Sequence, residues 1–540
     1  MSNELKYLLG GILLIFISTA CDRSTQLDLQ NQDTNYTSDT GTGIIGDSAT
    51  GSDTPANTDT GGDTSGDSAA DTDTSDVTDT GSDTGTVSGD LNFTSTGGWF
   101  ESVYAAWEAV SGATGYTVSY KVTGETSYTE VDDELIRGTR VDIPGLLGNT
   151  TYEVLIAAKN TNASSVLTVK TMGFDRSGFA FLPSSTNGST TGGYQEDGTA
   201  SDDAEILYIT EGNKNSVQMD VTKDSTTTTY TGIANIMKAR ESAKSTVPLI
   251  VRILGEVTPP TGDAYSSGLL NIKANSNVTF EGVGTDALLN GFGLNIRAAK
   301  NIEVRNLAFY MFPDDSVSIQ TDNRNIWVHN NDFMIGADGG GDKALGDGSC
   351  DIKADSSFIT VSYNHFHGTG KSSLVGLNET TEFFVTFHHN FYDGSHSRHP
   401  RVRTGTIHVY NNYFKDVTTY GVGAAEGCSI FVQNNYFENT VRPMMIASQG
   451  HDMKDYLPGT GDHDSILSGE DGGTIKAEGN YMDTFTTTWF DATVDTGNAT
   501  LGGAVYNNFD SNFSSTNYPY NVDSATAAKD KAVTYAGRLN

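Results

Sequence analysis

The sequence is poor in basic residues, proline and cysteine. Its 540 residues include 32 Lys and Arg against 68 Asp and Glu, which gives a formal net charge of −36. Nucleic acid is therefore excluded as a general partner, because phosphate binding needs a basic face. Three cysteines cannot build a disulfide scaffold, and the pairing of Cys350 with Cys428 stays open. The abundant residues are glycine (60), tyrosine (24) and phenylalanine (24), and this composition favours β-structure with many turns.

The amino terminus has no apolar run long enough to span a membrane. The run Tyr7–Ile17 is shorter than the roughly 20 residues that a spanning helix needs, so we interpret residues 1–20 as a secretory signal. Small residues followed by Cys21 resemble a bacterial lipoprotein signal. That resemblance implies lipidation of Cys21 and a lipid-anchored protein at the cell surface or outer membrane, or one released from it. An ordinary cleaved signal with an incidental cysteine is the alternative.

Residues 21–90 contain almost no large apolar side chains. They hold 15 Asp, no Glu and the single base Arg23, in repeats such as DTDTSDVTDTGSDTG. Such a segment cannot bury enough apolar surface to offset its ordering entropy, so we predict a disordered, solvated tether. Its charge of −14 is about two-fifths of the total and carries no information about a substrate.

Residues 91–172 alternate apolar and polar residues in short runs separated by turn signals. This pattern predicts a β-sandwich of about seven strands. The aromatic and apolar set in it resembles a fibronectin type III domain, and the region GLLGNTTYEVLIAA is similar to the E–F corner and F strand of that family. We find no titratable cluster here and expect a spacer or a weak carbohydrate contact. The residues that carry the resemblance are Trp107, Tyr116, Tyr120, Leu146 and Tyr152.

From residue 173 to 540 one octapeptide pattern recurs: apolar, x, Val or Phe, x, x, Asn, x, aromatic. It occurs at 326–333, 359–366, 385–392, 407–414 and 430–437, with looser copies after them. A base period near 22 residues with insertions is typical of a stacked solenoid, so we predict a mainly β chain whose last domain is a right-handed parallel β-helix. We expect the sixth-position asparagines to adopt a left-handed bend and stack as an amide ladder, with the aromatics stacking beside them. These asparagines are Asn331, Asn364, Asn390, Asn412, Asn435, Asn480 and Asn508.

Helical spacing appears once before the repeats. Ile233, Ile236, Met237, Ala239 and Ala243 would share one face of a helix, which we expect to cap the amino end of the solenoid.

Histidines cluster in the repeats and could suggest a transition metal. Strand alternation places adjacent residues on opposite faces, and most of these histidines lie inside the repeat motif, so structural or substrate-contact roles are favoured over a metal site. They are His365, His367, His388, His389, His396, His399 and His408.

Two charged sets are more specific. Asp314 and Asp315 lie about one coil before Asp347 and Asp351, so stacking could bring them together as hard oxygen ligands that suit Ca²⁺. The run SRHPRVR supplies Arg398, Arg401 and Arg403, and Lys371 lies one coil earlier. Arginine forks in an acidic protein imply an anionic ligand with carboxylates.

These residues carry a resemblance to bacterial pectate lyases of the parallel β-helix type. It extends over about 230–445 and includes CDIKADSSFITVSYNHFHGTGKSSLVG and the R-x-P-x-x-R motif that begins at Arg398. The resemblance implies β-elimination of polygalacturonate with Ca²⁺ bridging protein and substrate carboxylates. It assigns Arg398 as the catalytic base, Lys371 and Arg403 to substrate binding, and Asp347 and Asp351 to Ca²⁺.

The remaining site predictions are looser. Asp315, and less closely Asp314, corresponds to the acidic ligand of the preceding coil, and we predict substrate binding by Arg401 and His399 of the same arginine motif. The acidic ligands favour unmethylated pectate, and no clustered Asp pattern of a hydrolase is present. Arginine is ordinarily protonated, so Arg398 needs neighbouring cations to act as a base, and an alkaline optimum is expected. A monomer is expected, and a non-catalytic surface β-helix lipoprotein that binds acidic glycans remains the alternative.

Overall fold

The structure is a computed structural model that describes residues 85–182, 191–377, 381, 383–446, 473–483, 500–501, 504–505 and 518–539. The predicted signal (1–20), the lipidation site Cys21, the tether up to residue 84 and the last ladder residue, Asn508, lie outside the described residues. Within these ranges, no helix combines the length and the apolar character needed to cross a bilayer.

The first part of the described chain consists of two antiparallel sheets that share one core. Burial alternates along the strands, as in Ser102–Trp107, where Val103, Ala105 and Trp107 are buried. The sheet orders are β1-β9-β8-β4-β5 and β2-β3-β7-β6. The first strand lies inside the last residues that the sequence assigned to the tether. The strands are β1 (Thr86–Gly89), β2 (Phe93–Trp99), β3 (Ser102–Trp107), β4 (Tyr116–Val122), β5 (Thr129–Glu130), β6 (Ile136–Arg137), β7 (Arg140–Pro144), β8 (Thr151–Ala158) and β9 (Ser164–Lys170), with a 3₁₀ turn at Asp133–Leu135.

The rest of the described chain is built from short strands and few helices. The helices are α1 (Ile233–Ala243) and α2 (Ala525–Tyr535), with 3₁₀ turns at Phe179–Phe181 and Gly341–Lys343. The strands are β10 (Glu205–Ile209), β11 (Gln218–Lys223), β12 (Thr226–Thr231), β13 (Leu249–Val257), β14 (Tyr265–Ser266), β15 (Leu269–Lys273), β16 (Ser276–Asn290), β17 (Gly293–Arg297), β18 (Lys300–Arg305), β19 (Ala308–Tyr310), β20 (Val317–Gln320), β21 (Arg324–His329), β22 (Asp332–Phe333), β23 (Cys350–Lys353), β24 (Ser357–Ser362), β25 (His365–His367), β26 (Leu374–Val375), β27 (Phe384–His388), β28 (Phe391–Asp393), β29 (Arg401–Val402), β30 (Thr406–Tyr410), β31 (Tyr413–Lys415), β32 (Val422–Ala424), β33 (Ser429–Gln433), β34 (Tyr436–Glu438), β35 (Met444–Ile446), β36 (Thr474–Glu478), β37 (Tyr481–Asp483), β38 (Thr500–Leu501) and β39 (Ala504–Val505).

Most of these strands stack in three parallel columns, whereas β11-β12 and β38-β39 form separate antiparallel pairs. One column runs β13-β16-β18-β21-β24-β27-β30-β33-β36, and a second runs β16-β19-β22-β25-β28-β31-β34-β37. The third runs β15-β17-β20-β23-β26-β29-β32-β35. Each chain turn adds one strand to every column, and the residues between the columns form one long apolar core. The predicted parallel β-helix is therefore confirmed.

The asparagine ladder is the feature that fixes the coil-to-coil register. The Nδ2 of Asn390 donates to Asn412 Oδ1 at 2.9 Å, and its own Oδ1 accepts from Asn364 Nδ2 at 3.0 Å. The same contact links the fully buried asparagines from Asn331 to Asn480. The left-handed bend, however, falls on the preceding residue of each copy, such as Asn411 with φ 52°. The predicted ladder is confirmed, and the predicted position of the bend is wrong by one residue.

The aromatic positions stack beside this ladder inside the core. The rings of Phe333, Phe366, Tyr392, Phe414 and Phe437 follow one another with centroids 4.4–4.9 Å apart. At the amino end, the apolar face of α1 packs into the same core, as predicted for a capping helix. No disulfide joins the cysteines within the described ranges; Cys350 and Cys428 are both buried.

Candidate active site

The acidic residues predicted as ligands meet at the start of two neighbouring strands of the third column. Strand β20 pairs with β23 so that Ser318 lies opposite Asp351. Asp314 and Asp315 precede β20, and Asp347 precedes β23. One carboxylate oxygen from each of Asp314, Asp315 and Asp347 lies within 4.8 Å of the other two. Parallel stacking therefore joins side chains that are more than 30 positions apart in the sequence.

Asp351 lies next to this group, and its carboxylate is held from several sides. Its Oδ1 accepts the Leu374 amide at 2.9 Å, and its Oδ2 lies 3.2 Å from Lys353 Nζ. A Cβ at Gly348 would come within 2.3 Å of Asp351 Oδ1, so only glycine allows this close approach. Asp351 is thus fixed at the edge of the acidic cluster by one backbone amide and by the Lys353 ammonium.

Lys353 connects two of the predicted ligands, and the sequence analysis missed it. Its Nζ donates to Asp315 Oδ2 at 2.8 Å and also contacts Asp351. Burial, and next the Asp351 charge, raises the pKa of Asp315. Burial opposes the charge on Lys353, but the two carboxylates outweigh it and raise its pKa. The D-I-K spacing, which places Lys353 on the same face of the strand as Asp351, is the signal that could have revealed it.

Asp347 faces the cationic residues. Its carboxylate pairs with Lys343, and its Oδ1 lies 3.5 Å from Lys371 Nζ. Burial would raise the pKa of Asp347, but its bonds to Lys343 and the charge of Lys371 lower it. Lys371 itself is buried, and its backbone pairs with Gly348 of one neighbouring coil and with Ser397 of the other. Acidic and basic groups are therefore adjacent on one outer face of the solenoid.

Arg398 lies directly beyond this bridge. It follows Ser397, the partner of Lys371, and its carbonyl accepts the Ser373 amide at 2.7 Å. Its φ of 65° is in the left-handed region, and a cis peptide joins His399 to Pro400. Left-handed residues recur at the bends of this solenoid, as at Asn411, so this φ marks a tight bend in the loop of Arg398.

The predicted substrate contact by His399 is corrected by the structure. The ring is fully buried, with Nε2 2.7 Å from Ser395 Oγ and Nδ1 2.8 Å from the Tyr420 carbonyl. Burial lowers its pKa to about 3, so the ring is neutral. Both nitrogens are already bonded inside the protein, and His399 can only position the arginine loop.

Arg401 lies on β29 and Arg403 directly follows it, so the two flank the inward-facing Val402. Arg401 is in register with Leu374 and is mostly buried. Arg403 Nη1 donates to the Gly376 carbonyl at 3.3 Å, and its Nε lies 4.0 Å from Glu426 Oε1. Both arginines therefore project from the face that carries the acidic cluster.

The sequence is similar to proteins of one known family over most of its length. A protein family described as pectate lyase matches residues 153–539. The pectate trisaccharide-lyase of Bacillus licheniformis is 33% identical over 224 residues, which is 41% of this chain and 64% of that protein. Pectate lyase B of Dickeya chrysanthemi is 30% identical over 271 residues, 47% of this chain and 66% of that protein. The chain thus spans slightly less than two thirds of the length of these relatives.

Among solved structures, a pectate lyase from Bacillus sp. N165 in complex with trigalacturonate is 23% identical to this chain. It covers 68% of this chain and 99% of its own length, with a TM-score of 0.47.

Proposed function

This chain belongs to the pectate lyase family, and we propose that it is a Ca²⁺-dependent pectate lyase. The reaction would be β-elimination of α-1,4-linked polygalacturonate, with release of 4,5-unsaturated oligogalacturonides. The observation that carries the proposal is the acidic cluster of Asp314, Asp315 and Asp347, which adjoins Lys371 and the Arg398 loop on one face. The carboxylates there suit a hard cation, and the basic side chains suit an anionic polymer.

The donor set fits Ca²⁺. Carboxylate oxygens are the ligands that this cation prefers, and the three donors lie within 4.8 Å of one another. Asp314, Asp315 and Asp347 would hold the ion, with Asp351 at the edge of the cluster. When bound, Ca²⁺ withdraws charge from the C6 carboxylate of the sugar and so acidifies the C5 proton.

The basic residues would bind and orient the substrate. Lys371, Arg401 and Arg403 offer cationic donors to the carboxylates of successive sugars, which guanidinium forks match in shape. Arg398 would take the C5 proton. The electrons of the C5–H bond then form the C4–C5 double bond, and the C4–oxygen bond breaks with its electrons on the leaving oxygen. His399 holds the loop that presents Arg398 through its bonds to Ser395 and Tyr420.

Arg398 acts as a base only in its neutral form. The backbone of Lys371 pairs with that of Ser397, the residue before Arg398. Because a guanidinium is ordinarily protonated, we expect activity to rise towards alkaline pH. The same acidic cluster supports unmethylated pectate as the substrate, because a methyl ester would remove the negative charge that these cations and the metal bind.

The deciding experiment follows the ultraviolet absorbance of the unsaturated product during incubation with polygalacturonate. We expect signal with Ca²⁺ and none with a chelator. Arg398→Lys keeps the charge but should reduce the rate by at least a hundredfold, with the circular dichroism spectrum unchanged. Lys244→Arg, at the residue that follows α1, is the matched control and should keep full activity. Tight pectate binding by the wild type without product would instead establish the alternative, a non-catalytic glycan-binding β-helix.

Further proposals concern the amino-terminal half and the assembly. We infer a fibronectin type III-like spacer for residues 91–172, supported by the two antiparallel sheets and their shared core. We also propose a lipid anchor on Cys21, location at the bacterial cell surface or outer membrane, and a monomer. Labelling with a fatty-acid analogue, compared between the wild type and Cys21→Ser, tests the anchor. Sedimentation of the chain without its signal tests the monomer.

A further inference from the structure

A second group of possible metal ligands lies on the outer face of the middle column, away from the acidic cluster. Strand β25 has the sequence His-Phe-His, so Phe366 enters the core and both histidines point outward. Asp332 on β22 is in register with His365, and Asp393 on β28 is in register with His367. The sequence argument about adjacent histidines does not apply here, because positions i and i+2 share a face.

The donor atoms converge. One donor atom from each of Asp332, His365 and His367 lies within 4.8 Å of the other two, and His367 Nε2 is 3.0 Å from Asp332 Oδ1. Bonds of 2.0–2.1 Å around a tetrahedral ion place the donors ~3.3 Å apart, so small side-chain rotations would close the set. The two imidazoles already stack with centroids 3.5 Å apart, and Phe391 holds His365 at 4.4 Å.

One polar atom of this group lacks a hydrogen bond. His365 Nε2 is buried and has no hydrogen-bond partner within the described residues, because Asp393 Oδ2 lies 3.6 Å away, beyond hydrogen-bond distance. A buried nitrogen in this condition is unusual and often marks an ion or water position. The group is open to entry from solvent, because the side chains of His365 and His367 are 18% and 37% exposed.

The surroundings would also orient the ligands. Arg538 Nε donates to Asp332 Oδ2 at 2.7 Å, which leaves Oδ1 directed at the histidines. Such outer contacts hold a carboxylate in a monodentate orientation. Lys415 Nζ similarly occupies Asp393 Oδ1 at 3.2 Å, so that Asp393 Oδ2 faces His365. Asp393 or a water molecule could complete a fourth position.

We propose that Asp332, His365 and His367 form a binding site for a divalent transition metal of the Zn²⁺ type. Imidazole nitrogens suit this class and are poor ligands for Ca²⁺, so the two sites would select different ions. The site does not depend on the proposed pectate cleavage. Because Arg538 joins Asp332 to the carboxyl-terminal segment, metal binding would also strengthen the attachment of that segment to the solenoid.

A second histidine group, at His388 and His389, is less suited to a metal. The Nδ1 atoms of the two rings are 3.0 Å apart and bonded to each other, and His389 Nε2 is bonded to Asp523 at 2.8 Å. His388 Nε2 has no such bond within the part of the chain that the structure describes, but the side chains of His388 and His389 are only 0% and 2% exposed, so their nitrogens are shielded from an ion in solvent.

Metal titration tests the proposal. Protein freed of transition metals, in a buffer with excess Ca²⁺, is titrated with Co²⁺, and the visible ligand-field absorption of Co²⁺ is followed. A second titration with Zn²⁺ is followed by calorimetry. The wild type should bind one ion with tetrahedral-type absorption. His367→Gln and His365→Gln, which keep a polar side chain, should weaken binding at least about a hundredfold. The exposed His396, outside the group, provides the matched control His396→Gln, which should bind as the wild type does.

Urea unfolding without metal checks that each variant is folded. The proposal is overturned if folded His365→Gln and His367→Gln bind Zn²⁺ as tightly as the wild type, or if no ion binds to the wild type below millimolar concentration. Loss of binding in His396→Gln, with retention in the other two, would place the metal elsewhere and would equally overturn it.

Discussion

Replacing Lys353 by methionine should destabilise the metal-free protein and make it more responsive to Ca²⁺. Lys353 Nζ pairs with Asp315 at 2.8 Å and with Asp351 at 3.2 Å, and these two side chains are only 4% and 3% exposed. Removing one partner of a buried ion pair costs about 3–5 kcal/mol, because a buried charge is left uncompensated. The carboxylates keep their bonds to backbone amides, so we expect about 3 kcal/mol.

The pH determines how much of this loss is seen. Burial, and next the Asp351 charge, raise the pKa of Asp315 above its value in the unfolded chain. The contribution of Asp315 to the free energy of unfolding is therefore fully present at low pH, and it is lost as the pH rises through the raised pKa. At low pH a protonated Asp315 needs no ammonium partner. The loss in Lys353→Met should therefore be smaller at pH 5, where mainly the pair with Asp351 is lost, than at pH 8.

Urea unfolding in a chelator and then in excess Ca²⁺ measures both effects. If the ammonium competes with the ion for Asp315 and Asp351, Ca²⁺ should stabilise the variant more than the wild type. Lys343→Met is the matched control: it removes a pair with Asp347 from a side chain that is 46% exposed, and should cost less than about 1 kcal/mol. Equal stability of wild type and Lys353→Met at pH 8 in chelator would refute the reasoning, as would a weaker response of the variant to Ca²⁺.

Two other substitutions test the scaffold. Asn390→Ala removes two donated and two accepted hydrogen bonds in the buried ladder and leaves the Asn364 amide without its acceptor, so urea unfolding should show a loss of about 3 kcal/mol. The half-buried Asn290→Ala, which removes one bond to Glu256, should cost less than about 1 kcal/mol, and equal losses would refute a structural role for the ladder. His399→Leu should make the free energy of unfolding depend less on pH in the acid range. Burial lowers the pKa of His399 to about 3, so the stability that the neutral ring contributes is present above the pKa of histidine in the unfolded chain and is lost as the pH falls towards about 3. An unchanged slope of unfolding free energy against pH between pH 7 and pH 4 would contradict this.

The candidate site was predictable where it depended on local spacing. Asp347, Asp351, Lys371 and Arg398 stand at fixed intervals in short motifs, and a coil length near the repeat period was enough to expect Asp315 beside Asp347. The residues missed or misassigned are those whose role depends on which way a side chain points. Lys353 was overlooked because its partners come from two coils.

The sequence by itself determined the solenoid, because its repeat is a local property. Each coil carries its own asparagine and aromatic residue, and stacking identical phases satisfies the buried amides, as the contacts of Asn390 demonstrate. Only the tertiary structure decided which insertions face one another, since the spacing between coils varies from 22 to 45 residues. It buried His399 inside its loop, placed Lys353 between two aspartates, and turned His365 and His367 to the same face as Asp332. Those outcomes follow from burial and register across coils, which no single stretch of sequence contains.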